Sequence, residues 1–266
     1  MKRFHSLKKN EIEVIEKKGT EKPFTGEYND FFEEGIYLCK KCDAPLYFSS
    51  DKFDAGCGWP SFEDEIKGAI TKIPDRERTE IICSYCKAHL GHVFEGEHLT
   101  KKNVRHCVNS LSLHFISGKN KAILAGGCFW GIEAKIKKAP HVLCTTVGYI
   151  GGHVANPTYE EVCEQNTGHL EAVEVIFDPT KTSYEAIISY FLQIHDPTQI
   201  GGQGVDLGRQ YESAIFYFSL KQKAIAEKVI KDDGRKIATH LLPATYFYKA
   251  EDYHQNYYCN SISNQL

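Results

Sequence analysis

Two Cys-x-x-Cys pairs, CKKC at 39–42 and CSYC at 83–86, constrain this chain more than any other feature. A two-residue gap lets both thiolates of a knuckle point at one ion, and two knuckles complete a tetrahedral site. Closing the long loop between them on a metal remains favourable, because loop-closure cost grows slowly with length. Four unrelated buried cysteines are the plain alternative, but doubled pairs are rare by chance. A redox Cys-x-x-Cys needs a thiol at a helix start in a βαβ unit, and neither pair has that setting. With four protein ligands the site is closed. Cys39, Cys42, Cys83 and Cys86 are therefore expected to hold a structural, not a catalytic, zinc ion.

The chain has ten cysteines in 266 residues, and their spacing is not that of a small disulfide scaffold. In a reducing compartment such cysteines are metal ligands or catalysts. The opening MKRFHSLKKNEIEVIEKKG is basic, but no apolar run follows to make a secretory signal, so a cytoplasmic location is expected. A net charge of −3 without long basic runs argues against nucleic-acid or membrane partners, and no apolar stretch is long enough to span a bilayer.

The texture changes near SGKNK at 117–121. Before it, IYLC, PLYF, TEIIC and RHCVNSLSLHFI read as strands separated by Gly, Pro and Asp. After it, strands and helices alternate: strand KAILA, a helix through FWGIEAKIKK stopping at Pro140, strand LEAVEVIF, helix SYEAIISYFLQIH, strand YESAIFYF and helix KQKAIAEKVIKD. In the second strand Val173, Val175 and Phe177 share a face, and Ile187, Ile188, Phe191 and Ile194 recur at helical spacing. The expectation is two domains, a mainly β domain at 1–117 and an α/β domain at 118–266.

Two further cysteines stand in settings that a core cysteine does not need. In RHCVNSLSLHF, strand alternation puts Arg105, Cys107, Asn109, Leu111 and Leu113 on one face. A cation two residues from a thiol on that face favours thiolate. KAHLGHVFEG supplies His89 and His92 as possible proton donors, and GCGWPSF supplies Cys57 and Trp59. In AGGCFWG, Cys128 opens a helix directly after a strand, where unpaired N–H groups and the macrodipole favour thiolate. Phe129 and Trp130 offer an apolar wall suited to a small methyl group beside a sulfur. Taken singly, each residue also has a packing explanation.

Taken together they match families. FTGEYNDFFEEGIYLCKKCDAPLYFSSDKFDAGCGWPSF, CSYCKAHLGHVF and RHCVNSLSLHF resemble methionine sulfoxide reductase type B over about residues 8–116. The resemblance implies two packed antiparallel sheets with zinc on the four Cys-x-x-Cys cysteines. It implies Cys107 as nucleophile and Cys57 as resolving thiol. Trp59 would cradle the substrate methyl, and His89, His92, Arg105 and Asn109 would bind or protonate the sulfoxide. The family commonly has Tyr where His106 stands, a position that faces away. An acidic residue usual after HVF is missing from its place in EGEH, and Glu95 is the candidate substitute.

NPTYEEVCEQNTGHLEAVEV, IHDPTQ, GVDLGRQYESAIFY and AEDYHQNYY, with AGGCFWG, resemble methionine sulfoxide reductase type A from about 121 to 259. This implies a two-layer α/β fold around a mixed sheet, with Cys128 as nucleophile and Phe129 and Trp130 holding the methyl. Glu171 would be the acid, and Tyr159, Asp206 and Tyr211 would complete the oxygen-binding network. A partly buried Glu171 with a raised pKa suits protonation of a leaving oxygen. The family resolves its sulfenic acid with tail cysteines; here Cys259 is the candidate, while Cys163 and Cys144 read as small buried residues. Together the resemblances imply a bifunctional enzyme in B–A order that reduces both epimers, in oxidised proteins or as free methionine sulfoxide. It would be recycled by thioredoxin, with zinc as the sole cofactor. A different thiol enzyme, or a zinc-stabilised module that binds partners, are the rival readings.

Overall fold

A computed structural model describes residues 4–164 and 166–258. The chain divides into two compact units, one ending at Ser117 and the other beginning at Gly118. Among the described residues the N-terminal unit has one short α-helix, α1 (Lys9–Ile15), and nine strands. The strands are β1 (Gly35–Cys39), β2 (Pro45–Phe48), β3 (Lys52–Phe53), β4 (Ser61–Phe62), β5 (Ile70–Asp75), β6 (Arg78–Cys83), β7 (His89–Glu95), β8 (Val104–Val108) and β9 (Leu113–Ser117). They form a three-stranded sheet, β2-β1-β9, and a six-stranded sheet, β3-β4-β8-β7-β6-β5. All of these pairings are antiparallel. Tyr37, Leu46 and Tyr47 from the smaller sheet share one buried cluster with Phe62, Ile81, Leu90 and Val108 from the larger. Tyr47 stacks on Phe62 with ring centroids 4.2 Å apart, so aromatic burial holds the sheets face to face.

The stretch RHCVNSLSLHF does not form one strand. Strand β8 ends at Val108, a 3₁₀ turn covers Ser110–Ser112, and β9 then joins the other sheet. Arg105 and Cys107 therefore share a strand face, while Asn109, Leu111 and Leu113 lie beyond its end. Polar side chains cause the break by taking over ladder hydrogen bonds. The Asn109 amide donates to the Leu90 carbonyl at 3.1 Å, Ser112 Oγ donates to the His89 carbonyl at 2.8 Å, and the Glu21 carboxylate accepts from the Ser110 and Leu111 N–H groups.

The C-terminal unit is built on β10 (Lys121–Ala125), β11 (Val142–Ile150), β12 (Leu170–Phe177), β15 (Ala214–Tyr217), β16 (His240–Pro243) and β17 (Tyr248–Lys249). A separate hairpin pairs β13 (Gly202–Gln203) with β14 (Asp206–Leu207). Its helices are α2 (Phe129–Ile136), α3 (Tyr159–Cys163), α4 (Tyr184–Ile194) and α5 (Leu220–Asp233). The six-stranded sheet runs β16-β15-β10-β12-β11-β17 and is mixed, since β15 and β16 are parallel while the other neighbours are antiparallel. Val173, Val175 and Phe177 of β12 face the same core as Ile187, Ile188 and Phe191 of α4. Ser183 and Ser219 cap α4 and α5 by accepting the N–H of Ala186 and of Gln222. Among the described residues no helix is long and apolar enough to cross a membrane.

Gly91 carries the tightest backbone approach beside Cys107. It pairs with Val108 at φ +156°, and a Cβ there would overlap the Cys107 carbonyl oxygen. Gly91→Ala is expected to destabilise the N-terminal unit by about 1–3 kcal/mol, read as a lower urea midpoint at unchanged slope. An unchanged midpoint would contradict the β7–β8 register.

Candidate functional sites

The two cysteine knuckles sit where β1 and β6 run out. In each, the chain turns back on its first cysteine: the Asp43 N–H donates to the Cys39 carbonyl and the Lys87 N–H to the Cys83 carbonyl, both at 2.9 Å. Asp43 and Lys87 take φ of 58° and 62°, the left-handed conformation that tightens the turn. The four Sγ atoms all lie within 4.8 Å of one another, with Cys39–Cys86 at 3.5 Å and Cys42–Cys83 at 3.7 Å. A tetrahedron of sulfurs about 2.3 Å from a zinc ion has edges of about 3.8 Å, so the cluster has the size that such an ion needs. Without a cation the thiols oppose each other's ionisation. Cys39 is pushed well up by its hydrogen bonds to Cys42, Cys83 and Cys86, while Cys83 is pulled down by Cys39, Cys42 and Cys86.

Cys107 lies in the middle of the six-stranded sheet, opposite Ser61 on one side and His92 on the other. The turn before β4 brings Cys57 to the same face, 3.5 Å from Ser61 Oγ and 3.5 Å from Arg105 Nη1. The two thiols hydrogen-bond to each other and share one negative charge. Cys57 is drawn down to about 5, first by the hydrogen bond from Cys107 and further by Arg105. Cys107 is pushed up by its hydrogen bond to Cys57 and by burial, against the pull of Arg105. Arg105 thus favours a thiolate at this pair, drawing Cys57 down and opposing the rise of Cys107.

Arg105 is held in a fork. Its Nε and Nη2 donate to the two Glu97 oxygens at 2.7 and 2.8 Å, and the guanidinium lies 4.5 Å from the Phe94 ring centroid. Glu97, missed in the sequence, occupies the role expected of Glu95. Glu95 pairs across the strands with Val104, whereas Phe94 pairs with Arg105, so Glu95 points to the other face. It makes only an exposed contact with Lys72 at 3.5 Å. The chain must pass through Gly96 before a carboxylate can return to Arg105.

A cavity of about 110 Å³ opens at this face, lined by Trp59, His92, Phe94, Cys107 and Asn109 among others. Trp59 is fixed by its indole N–H donating to the Glu21 carbonyl at 3.1 Å, and His92 Nε2 lies 2.9 Å from the Asp75 carboxylate. His89 does not line the cavity but stands behind it, its ring centroid 5.7 Å from that of His92. Two residues three apart on a strand should face opposite ways; a bulge opposite Ile81 and Ile82 restores them to one side. Burial lowers the pKa of His89 despite the Glu80 carboxylate 2.7 Å from Nδ1. Neutral His89 donates from Nδ1 to Glu80, leaving the buried Nε2 with no hydrogen-bond partner among the described residues. His106 lies on the opposite face, buried against Tyr47.

In the C-terminal unit Cys128 is the N-cap of α2, reached through Gly127 at φ 104°. The helix start holds two acidic groups at once. The backbone N–H groups of Trp130 and Gly131 stabilise a Cys128 thiolate, and the Phe129 N–H donates to Glu171 Oε2 at 3.0 Å. Glu171, on β12 and 1% exposed, is pushed up to about 7 by burial, with the Asp206 charge adding to it. Cys128 is pushed up to about 11 by burial and then by the Glu171 charge, which together outweigh the helix N–H groups. The helix start does favour thiolate as expected, but not enough to win: Cys128 rests as a thiol.

Asp206 and Tyr211 act on the same two groups. Asp206 adds to the shifts of both Cys128 and Glu171, and Tyr211 is pushed up to about 12 by burial, then by Glu171. Tyr159 is pushed up by burial and by a hydrogen bond with Cys163. Phe129 is 1% exposed and belongs to the core, while Trp130 is half-buried. The Trp130 indole N–H donates to His254 Nδ1 at 3.1 Å, and its face is stacked on Tyr257 with centroids 3.8 Å apart. His254, itself 4.5 Å from the Tyr159 ring, and Tyr257 were not picked out in the sequence, although AEDYHQNYY is dense in aromatics.

Cys163 and Cys144 depart from the reading of small buried residues. Cys163 is only half-buried and touches Tyr159; Cys144 is exposed. At Cys144 the register shifts between Val142 and Cys144, and Leu143 and Cys144 are both exposed although Val142 still packs against the core. Cys259 lies outside the described residues.

A family model described as peptide methionine sulfoxide reductase matches residues 120–265, and one described as SelR domain matches residues 7–117. The peptide methionine sulfoxide reductase MsrA of Methanosarcina mazei is 50% identical over 147 residues, covering 53% of this chain and 70% of that protein. The MsrA of Thermus thermophilus is 52% identical over 141 residues, covering 52% and 80%. Among solved structures, reduced Mxr1 from Saccharomyces cerevisiae aligns with a TM-score of 0.50 at 33% identity, covering 53% of this chain and 85% of that one.

The resting ionisation states can be read by alkylation. Iodoacetamide followed by peptide mapping is expected to label the Cys57–Cys107 pair readily at pH 7, mainly on Cys57. Cys128 is expected to label slowly until the pH approaches about 11. Fast labelling of Cys128 at pH 7 would contradict the burial argument, because the thiolate is the reactive form.

Proposed function

The chain belongs to the peptide methionine sulfoxide reductase family, with a SelR domain ahead of its type A domain, and we propose that Cys107 and Cys128 are its two nucleophiles. The protein is a bifunctional enzyme that reduces both epimers of methionine sulfoxide, R in the N-terminal domain and S in the C-terminal one. We place the domains at 1–117 and 118–266. In each, a thiolate attacks the sulfoxide sulfur, the protonated oxygen passes to the cysteine, and methionine leaves. The resulting sulfenic acid condenses with a second thiol, releasing water and forming a disulfide that an external dithiol reduces.

In the type B centre, Cys57 takes the Cys107 proton as substrate arrives, freeing Cys107 to attack, and later closes the disulfide. Arg105, within hydrogen-bond reach of both sulfurs, holds the shared charge in place while Glu97 fixes the guanidinium. Trp59 seats the methyl, and His92 and Asn109, with His89 behind them, receive the oxygen. In the type A centre, Glu171 is the acid, Tyr159, Asp206 and Tyr211 hold the oxygen, and Trp130 over a floor of Phe129 holds the methyl.

The observation that carries the type A reading is the pairing of Cys128 and Glu171 on one helix start, at about 11 and about 7. The resting state is thiol plus carboxylate. The reacting state is thiolate plus carboxylic acid, which has the same net charge. One proton moved from Cys128 to Glu171 converts one into the other, and a polarised sulfoxide oxygen beside Glu171 favours the second. The charge is conserved, so activity is carried across the whole range between the two ionisations.

Cys39, Cys42, Cys83 and Cys86 hold zinc in this reading. The ion supplies a structural cross-link between the ends of β1 and β6, and no catalytic group of its own. Cys259 is the type A resolving thiol. Thioredoxin is the reductant that the family resemblance implies, and a reducing, cytoplasmic setting suits free thiols.

The separated epimers of a blocked methionine sulfoxide, with dithiothreitol as reductant, test the assignment. Cys107→Ser is expected to abolish R reduction and spare S; Cys128→Ser is expected to do the reverse. Loss of both epimers in either variant would refute independent nucleophiles. For the S epimer, kcat/KM is expected to rise to a plateau near pH 7 and to fall only towards pH 11. Glu171→Gln should lower it by roughly 10²–10⁴-fold and move the rising limb up to the ionisation of Cys128 itself. A limb left at pH 7 would assign that ionisation to another group.

A further inference from the structure

Strand β17 covers only part of the β11 edge. It pairs Tyr248 with Tyr149 and Lys249 with Gly148, and the Ala250 N–H adds one bond to the Val147 carbonyl at 3.0 Å. The chain then leaves the sheet through a 3₁₀ turn, Asp252–His254. Gln255 returns to the edge with its side chain. Its Oε1 accepts the Val147 N–H at 3.0 Å, and its Nε2 donates to the Val147 and Ala250 carbonyls at 3.0 and 2.9 Å. At Val147 one side-chain amide therefore does what a peptide group of a neighbouring strand would do, both donating and accepting.

The residues on either side of Gln255 reach the start of α2. His254, just before it, is buried; its Nδ1 accepts the Trp130 indole N–H at 3.1 Å, and its ring lies 4.5 Å from that of Tyr159. Asn256, just after it, donates its N–H to Glu133 Oε2 at 3.0 Å, while Glu133 Oε1 accepts from the Thr145 hydroxyl of β11 at 2.9 Å. Glu133 is itself buried and stands three residues after Trp130, on the same face of α2. Of residues 252–258 only His254 is buried, so apolar burial does not decide where this segment lies. Its polar anchors do. The Gln255 bonds fix the segment's register along β11, and that register determines which rings reach Trp130.

We propose that Gln255 is a positioning residue for the S-epimer centre, and that Glu133 is its second anchor. By fixing the segment at Val147, Gln255 keeps His254 on the Trp130 indole N–H and Tyr257 stacked on the Trp130 face. An indole held at its polar edge and covered on one face cannot swing aside. The seat beside it then has a fixed width, and walls that do not yield make an added methylene costly. A seat held this way accepts a methyl group and rejects a larger alkyl group. This rests on the reading of Trp130 as the methyl seat.

The test uses the full chain, dithiothreitol, and the S-sulfoxides of blocked methionine and blocked ethionine, the second carrying an ethyl group in place of the methyl. The wild type is expected to favour methyl over ethyl by about 10–200-fold in kcat/KM, the range for one methylene in an apolar pocket. Gln255→Ala is expected to bring that ratio below about threefold, chiefly by raising KM for the methyl substrate. Reduction of the R epimer, read in the same samples, should not change. Glu133→Ala, which frees the segment at its other anchor, should narrow the ratio in the same direction. A merely structural role would lower kcat for both substrates in proportion and leave the ratio as it was, and that result would overturn the proposal. If Gln255→Ala leaves no folded type A domain, Glu133→Ala decides by the same ratio. If neither variant folds, the bonds hold the fold and not the seat, and the proposal falls. A wild type that reduces both substrates equally would instead refute the methyl seat itself, and the role of Gln255 with it.

Discussion

Both reactive centres answer one constraint: a thiolate must exist where water is largely excluded, and burial opposes it. The N-terminal domain meets the constraint with a cation. Arg105 is desolvated but clamped by Glu97 in two-point geometry, and it lies against two sulfurs that share one charge. Among the described residues no such cation is found acting on Cys128, and the helix start takes that part instead. Three consecutive N–H groups there are divided between a thiol and a carboxyl, Phe129 serving Glu171 while Trp130 and Gly131 serve Cys128. Because burial and the Glu171 charge both oppose a Cys128 thiolate, only one of the two groups is fully ionised at a time.

The scaffolds exist to make those arrangements rigid. In the N-terminal domain Cys107 is flanked by paired strands on both sides, and the 3₁₀ turn after it is pinned by Asn109, Ser112 and Glu21. In the C-terminal domain β10 delivers the chain to α2 through a glycine that the hairpin closes against, while β12 brings Glu171 to the same point. The side chains of the two candidate sites thus come from the ends and turns of strands whose centres are held by Val, Ile and Phe packing.

Long periodic elements were legible in the sequence. The stripe of α4 and the alternation of β12 depend only on which residues must be buried, and single-chain patterning records that. What was not legible depended on parity and on neighbours. The RHCVNSLSLHF segment looked continuous because its apolar residues alternate, yet its Asn and Ser side chains compete for the ladder. A bulge opposite Ile81 and Ile82 turned His89 towards His92, and Cys144 is exposed at a register shift in β11. Glu95 could have been rejected from alternation alone; Glu97 could not have been chosen without knowing how the loop returns. The ionisation of Cys128 was misjudged for a related reason. The helix start was visible in the sequence, but the carboxylate that shares it comes from a strand more than forty residues away.

The two resting states also differ in their exposure to unwanted oxidation. Oxidants attack thiolates rather than thiols, so an enzyme that works among oxidants risks its own nucleophiles. The type B pair carries its thiolate at rest, but the partner sulfur is already in contact. A sulfenic acid formed there is one condensation from a reversible disulfide and is kept from the irreversible steps of further oxidation. At Cys128 no described thiol is within hydrogen-bond reach, so a sulfenic acid formed without substrate would wait for a partner. With Cys128 as the proposed nucleophile, that thiol is better kept protonated until a sulfoxide arrives to draw the proton across to Glu171. The two centres differ in cause: contact with Cys107 and the Arg105 charge draw Cys57 down to about 5, whereas burial and the Glu171 charge push Cys128 up to about 11. The domain with its partner in contact holds the charge, and the domain without one stores it on a carboxylate.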